Sequence, residues 1–237
     1  MIIPQKMTAR LSKMEQFNDR FGHFWFQLET GQQLERLAGQ YVSILLPDGQ
    51  RRAYSMADEP KTQQFELLID MLPAGAGVTY LRQLRLGDTV EILAPLGQLV
   101  VKGRAAHNYL LASGSGISPL RSIVRDQLLT QKNTDEWTLI WSMSHESEFF
   151  WGPEWQKLAA ECQNFHFYPL ADDASDQLGA EKLFVPEKLT QLSPLGECHF
   201  YLCGGPVMMT ACQKWLTEHG FGPEMVTLEH FQVPKRG

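Results

Sequence analysis

The stretch Tyr109-Leu110-Leu111-Ala112-Ser113-Gly114-Ser115-Gly116-Ile117-Ser118-Pro119 decides the fold of this chain. Four apolar residues in succession, Tyr109 to Ala112, predict a strand buried on both faces, as in a parallel sheet. Beyond the glycines, Leu120, Ile123, Val124 and Leu128 recur at helical spacing, so the segment between is a strand-to-helix turn. Glycines there permit a tight turn and close approach of backbone to phosphate, and the free N–H groups and dipole of a helix start favour an anion. Pro119 stands where a third glycine often would, and proline is at home in a first helical turn. Locally, a crossover loop with no ligand reads the same, so the decision passes to the rest of the chain.

Downstream the alternation continues. Trp137–Met143 predicts a strand, and Trp155, Leu158, Ala159 and Cys162 then share one helical face. Phe165–Leu170, His199–Cys203 and Met225–Phe231 predict further strands. Pro206 opens a helix carrying Val207, Met208, Ala211, Cys212 and Trp215 on one side, and Gly220 ends it. Strand–helix alternation of this kind implies a five- or six-stranded, mostly parallel α/β domain. Upstream the pattern differs. Short β-rich runs, His23–Leu28, Tyr41–Leu46, Arg52–Met56, Phe65–Met71, Thr89–Leu93 and Gly97–Val101, are punctuated by Pro47-Asp48-Gly49, Pro73-Ala74-Gly75 and Leu86-Gly87-Asp88. With no long helix among them, they predict a six-stranded antiparallel Greek-key barrel. The boundary falls at 103/104, giving domains 1–103 and 104–237, as 237 residues allow.

Composition narrows the function. The 21 basic against 27 acidic residues give a net charge of −6, which argues against broad binding to nucleic acid or an anionic membrane. Mean hydropathy is −0.24, and no run nears the ~18 apolar residues of a membrane span. Met1-Ile2-Ile3-Pro4-Gln5-Lys6 has no apolar core of a secretory signal. The four cysteines, 162, 198, 203 and 212, form no CxxC pair, and no histidine lies at zinc-finger spacing. Neither a metal site, an iron–sulfur cluster nor a disulfide framework is expected, and the chain reads as cytoplasmic.

Two further motifs carry chemistry. In Arg52-Ala53-Tyr54-Ser55 a strand sends Arg52 and Tyr54 to one face and Ser55 to the other. A guanidinium and an aromatic plane two residues apart suit a ligand with both phosphate and a flat ring, although an exposed strand with both residues is common. Cys203-Gly204-Gly205-Pro206 is a second strand-to-helix turn, with a thiol at the carboxyl end of the strand where α/β sheets bind ligands; alone, Cys203 reads as a small apolar residue.

In this order and spacing the three motifs resemble the ferredoxin–NADP⁺ reductase superfamily along essentially the whole chain, with support from Gly39-Gln40-Tyr41, Leu86-Gly87-Asp88 and Pro95-Leu96-Gly97. The resemblance implies a flavin-binding barrel followed by a nicotinamide-nucleotide domain. It assigns Arg52 to the flavin phosphate, Tyr54 to the isoalloxazine face, Ser55 to the neighbourhood of N5, and Ala53 to the same strand contact. Gly77 and the amides of Val78 and Thr79 match a second flavin-phosphate loop, with valine where the family has serine. Gly114, Ser115, Gly116 and Pro119 match the nicotinamide-nucleotide loop, and Cys203, Gly204, Gly205 and Pro206 flank the nicotinamide. Glu229-His230-Phe231 is similar to the Glu-x-aromatic ending of plant-type chains, with Phe231 over the flavin and Glu229 beside the hydride path; an ordinary sheet-terminal core aromatic and a solvated edge-strand carboxylate are the alternatives. Here six residues follow Phe231.

Nucleotide choice stays open between NADPH and NADH. Ser144 fits the family's Ser-Arg pair for the 2′-phosphate and His145 is a partial substitute for the arginine, which tilts the reading to NADPH. FAD is expected, with FMN open, because Leu72-Pro73-Ala74-Gly75-Ala76 offers no aromatic to stack adenine. The implied activity is hydride transfer from NAD(P)H to the flavin, its two rings face to face between the domains, then electron delivery to a separate ferredoxin, flavodoxin or oxygenase component. An NAD(P)H:flavin reductase that takes free flavin as substrate is the alternative, followed by a non-enzymatic nucleotide-sensing or assembly subunit.

Overall fold

The computed structural model describes residues 2–72, 74–175, 178–194 and 196–230. Its first part contains β1 (Gln5–Gln16), β2 (Phe21–Leu28), β3 (Tyr41–Leu45), β4 (Arg51–Ser55), β5 (Gln64–Asp70), α1 (Ala76–Gln83) and β6 (Thr89–Leu96). The six strands form an antiparallel sheet in the order β4-β3-β6-β1-β2-β5. The two ends of that order meet. Met56, just past β4, bridges to Leu67 of β5, and the Ala57 N–H donates to the Glu66 carbonyl at 2.8 Å. Closure of this kind removes open sheet edges and makes a barrel. Strands alternate as a half-buried sheet requires, β1 burying Met7, Ala9 and Leu11 between Thr8, Arg10 and Ser12. Inside, Phe26 and Phe65 stack with ring centroids 5.3 Å apart.

In this first part three elements differ from the sequence expectation, and in the second part the helix Val185–Leu192 is absent from it. The longest strand, β1, is absent from it, because its inward residues are mostly methionine and alanine, which carry little β signal. Gly97–Val101 is not a strand; Gly97 sits at φ +95°, where the ladder of β6 ends. The segment read as a phosphate loop at Gly77–Thr79 is the first turn of α1, which buries Val78 and Leu81 against the barrel.

The second part contains β7 (His107–Ser113), α2 (Ile117–Val124) continued by a π-helical turn (Arg125–Thr130), β8 (Glu136–Met143), α3 (Gly152–Glu161), β9 (Phe165–Ala171), α4 (Val185–Leu192), β10 (Cys198–Gly204), α5 (Pro206–Glu218) and β11 (Val226–His230). The five strands described here are all parallel, in the order β11-β10-β7-β8-β9. Every residue of β10 is buried, and Leu111, Ile140, Leu170, Phe200 and Leu202 form the core on which α4 and α5 pack. The chain winds from β7 out to β9 and then returns to the other side of β7 as β10. Ligands in such sheets bind at that reversal, beyond the carboxyl ends of the strands.

By packing, the chain divides into two compact units. One comprises residues up to Val101 together with Ser118–Lys132; the other comprises Lys102–Ile117 and the residues from Asn133 onward. The helix that leaves the glycine turn therefore groups with the barrel, and a buried charge network explains why. Arg36 and Asp58, 0% and 1% exposed, pair at 2.8 Å. The Ser122 hydroxyl donates to the Asp58 carbonyl at 2.6 Å, and Arg121 donates to the Ala57 carbonyl at 2.9 Å and to Glu66 at 3.1 Å. His23 lies 3.2 Å from the same Glu66 carboxylate. Burial works against the Glu66 charge, yet His23 and Arg121 outweigh it and hold the carboxyl at about 2. Among the described residues no helix is long and apolar enough to cross a membrane, and no group of three or more His, Cys, Asp or Glu is placed to hold a metal ion.

Candidate functional site

Within the barrel unit the structure brings Arg52, Tyr54 and Gly77 together. Arg52 and Tyr54 share one face of β4, half-buried, while Ala53 is exposed and Ser55 is 5% exposed. A Cβ added to Gly77 would lie 2.2 Å from the Tyr54 hydroxyl and 2.9 Å from Arg52 Cγ, so the first turn of α1 rests directly on these two side chains. Arg52 is held on its own hairpin, Nη2 donating to Gln50 Oε1 at 2.7 Å and Nη1 to the Arg51 carbonyl at 2.9 Å. Burial pushes the Tyr54 phenol up to about 12 despite the nearby guanidinium, so it remains a neutral donor.

The helix start beside them has no side-chain cap at Gly75, and the amides of Ala76, Gly77 and Val78 have no intrahelical acceptor. The Thr79 amide, in contrast, donates to the Gly75 carbonyl at 2.9 Å, so it is already used. Val78 turns its side chain into the barrel core, which accounts for valine at that position. A cation, a neutral phenol and three amides at one helix start fit a phosphate-bearing aromatic ligand.

Within the sheet unit the two glycine turns meet at the reversal between β7 and β10. Gly114 adopts φ +55°, a left-handed conformation that favours glycine, and space is open where its Cβ would be. Gly114–Gly116 forms a 3₁₀ turn running straight into α2, which puts the positive end of a helix dipole there, with Ser115 in the turn and Pro119 buried in the first turn of α2. A Cβ on Gly116 would lie 2.1 Å from the Cys203 carbonyl oxygen, and one on Gly204 would lie 2.3 Å from Ser113 Oγ. Ser113 Oγ accepts the Gly205 N–H at 2.9 Å, locking the turns together. With that amide used and Pro206 lacking one, α5 leaves the amides of Val207 and Met208 without intrahelical acceptors.

Cys203 lies at the carboxyl end of β10 and is wholly buried. Burial, with Glu229 on the paired position of β11, pushes its thiol well up, so it is a neutral S–H and not a thiolate. Glu229 is half-buried, and Phe231 lies outside the described residues. Ser144 and His145 follow β8 and are exposed, but His145 is not a lone cation: its Nδ1 is 2.9 Å from Asp173 Oδ2.

Three contributors escaped the sequence reading. Ser113 locks the turns, Trp141 Nε1 donates to the Gly114 carbonyl at 3.1 Å, and Asp173 pairs with His145. Ser113 was findable, since it immediately precedes the glycines at a strand end. Trp141 needed the β7–β8 register, which sets it opposite Ala112.

Comparisons with known proteins match each half of the chain to a family. The oxidoreductase FAD-binding domain family matches residues 8–101, and the oxidoreductase NAD-binding domain family matches residues 110–214. The anthranilate 1,2-dioxygenase electron transfer component of Acinetobacter baylyi is 30% identical over 204 residues, covering 84% of this chain and 59% of that protein. The reductase component of phenol 2-monooxygenase from Pseudomonas sp. strain CF600 is 32% identical over 209 residues, with the same coverages of 84% and 59%. This chain thus spans less than two-thirds of either relative. Among solved structures, the Amycolatopsis reductase GcoB superposes with a TM-score of 0.87 at 23% identity over 97% of this chain and 71% of its own. A ferredoxin NADP⁺ reductase from Neisseria gonorrhoeae, solved with FAD and NADP, gives 0.83 at 20% identity over 96% and 99%. With a FAD-binding family on the barrel, a NAD-binding family on the parallel sheet and this shared fold, the chain belongs to the ferredoxin reductase superfamily.

Proposed function

We propose that this chain is an NAD(P)H-dependent flavoprotein reductase that passes electrons to a separate acceptor. The observation that carries the reading is the presence of two anion cradles of different build, Arg52–Tyr54–Gly77 in a FAD-binding family domain and Gly114–Gly116 against Cys203–Gly204 in a NAD-binding one. FAD, when bound, would take a hydride from the nicotinamide and release electrons to the acceptor. Residues 1–103 hold the flavin in this reading, and 104–237 bind the nucleotide.

The chain's own groups bind and orient. Arg52 and the amides of Gly77 and Val78 hold phosphate, and Tyr54 packs its neutral phenol along the flat ring while Ala53 and Ser55 present the strand edge near N5. Ser115, Gly116 and the helix dipole at Pro119 hold the nucleotide phosphates. Gly204, Gly205 and Pro206 shape the turn beside the nicotinamide, where Cys203 offers a neutral thiol. Glu229 lies beside it as the carboxylate of the hydride path. The acceptor proposed is an oxygenase component, as the names of the dioxygenase and monooxygenase relatives suggest, with ferredoxin or flavodoxin as the other acceptors of this class.

Ser55→Ala and Cys203→Ala are expected to slow flavin reduction more than they weaken flavin binding, and stopped-flow absorbance with a flavin-binding titration separates the two. A second reading, with free flavin as substrate, draws support from the segment around Ala74–Ala76, which is exposed and offers no adenine platform. Flavin that stays with the protein through gel filtration supports the first reading; colourless but active protein supports the second.

A further inference from the structure

The ends of β8 and β9 run side by side beyond the nucleotide turn. Ser142 pairs with Ser113, so β8 is the strand adjoining the one that carries Gly114, and Met143 pairs with Ala171 of β9. Two residues past that last pair stand His145 and Asp173. His145 Nδ1 lies 2.9 Å from one Asp173 oxygen, and the other accepts the Glu146 N–H at 2.7 Å. Glu146 in turn accepts the Leu178 N–H at 2.7 Å and accepts from the Ser175 amide and hydroxyl, so its carboxylate is already engaged. Both members of the His145–Asp173 pair are exposed, at 63% and 54% of their side chains. Residues 142–150 and 170–178 include Glu146, Glu148, Asp172 and Asp173 but no lysine or arginine.

In a sheet wound this way, a nucleotide whose phosphates sit on the first strand's turn lays its adenosine ribose over the end of the second strand. A carboxylate there accepts from a free 2′-hydroxyl, whereas a 2′-phosphate needs an unopposed cation. We infer that Asp173, reaching across from the third strand to neutralise His145, makes this site select an unphosphorylated adenosine ribose, and so NADH over NADPH. This rests on the nucleotide-binding reading above and reverses the sequence-based tilt to NADPH, which took His145 as a stand-in for arginine. The Asp173 hydrogen bond and charge raise the pKa of His145 above its ordinary value, so protonation completes an ion pair and does not free a cation. A 2′-phosphate entering here meets the exposed carboxylates of Asp172 and Asp173, and neither segment supplies a lysine or arginine to offset them.

Calorimetric titration of the FAD-loaded chain with NAD⁺ and NADP⁺, which differ only in the 2′-phosphate, tests the inference without turnover. The parent is expected to bind NAD⁺ at least about tenfold more tightly. His145→Arg alone should change little, because Asp173 pairs the new guanidinium. Asp173→Asn alone should narrow the preference modestly, and Asp173→Glu should keep it. The His145→Arg/Asp173→Asn double variant should narrow it by about tenfold or more, exceeding the product of the single effects. The inference is overturned if the parent binds NADP⁺ as tightly as NAD⁺, or if His145→Arg alone matches the double variant. Failure to bind either dinucleotide would overturn it too, by removing the nucleotide-binding reading beneath it.

Discussion

At Gly77 an added methyl group would strike the far end of a side chain, the Tyr54 hydroxyl at 2.2 Å, and Arg52 Cγ at 2.9 Å. At Gly116 it would strike backbone, the Cys203 carbonyl oxygen at 2.1 Å and Gly204 Cα at 2.7 Å. The contact proposed as the barrel's anion cradle is thus made by side chains leaning on a helix start, and the one proposed for the parallel sheet by two main-chain turns pressed together. Side chains can rotate away, but turns at the centre of a five-stranded sheet cannot move without disturbing β7 and β10. The same glycine requirement should therefore be soft in one unit and rigid in the other.

Gly116→Ala is the strongest way to break that contrast. Overpacking against the Cys203 carbonyl is expected to cost about 3 kcal/mol in urea unfolding and to abolish NAD⁺ binding by calorimetry. Acid separates the units next. Glu66 at about 2 and Glu59 at about 2 are depressed carboxylates of the barrel unit. Their stabilisation is complete above the ordinary carboxylate range and is lost as pH falls toward 2. His23, lowered by burial, acts in the same direction, because the unfolded chain takes up its proton first as pH falls below 6.5. Amide exchange followed unit by unit should show the barrel opening at higher pH than the sheet, whose depressed carboxylates Glu146 and Asp173 are half-buried and exposed respectively.

Arg52→Ala follows, with FAD affinity expected to fall about tenfold in a fluorescence titration while NAD⁺ affinity holds. Ser113→Ala removes the acceptor of the Gly205 N–H and should cost about 1 kcal/mol of unfolding free energy. Gly77→Ala closes the series at under about 1 kcal/mol in the same measurement, because its helix-propensity gain offsets part of the side-chain shift.

Sequence periodicity reached most of the parallel half, because strands such as β7 and β10 are largely apolar runs and α2, α3 and α5 each carry one apolar stripe; the short α4 is absent from that reading. It reached the barrel less well. The inward face of β1 is Met7, Ala9 and Leu11, a pattern of alternation without β-branched residues, and α1 is a single short helix whose first turn reads as a glycine loop. The motifs that name a turn were legible because glycine has few substitutes there. Asp173 was not, because its role depends on a partner brought near only by the pairing of β8 with β9, which no local spacing encodes.

In the proposed function one chain receives reducing equivalents from a nicotinamide nucleotide on a flavin of its own. Anaerobic titration of the FAD-loaded protein with NADH, followed by visible absorbance, tests this most directly. The oxidised flavin band is expected to bleach in proportion to added NADH, with an end point near one equivalent per flavin; a band unchanged through excess NADH and NADPH would rule that transfer out.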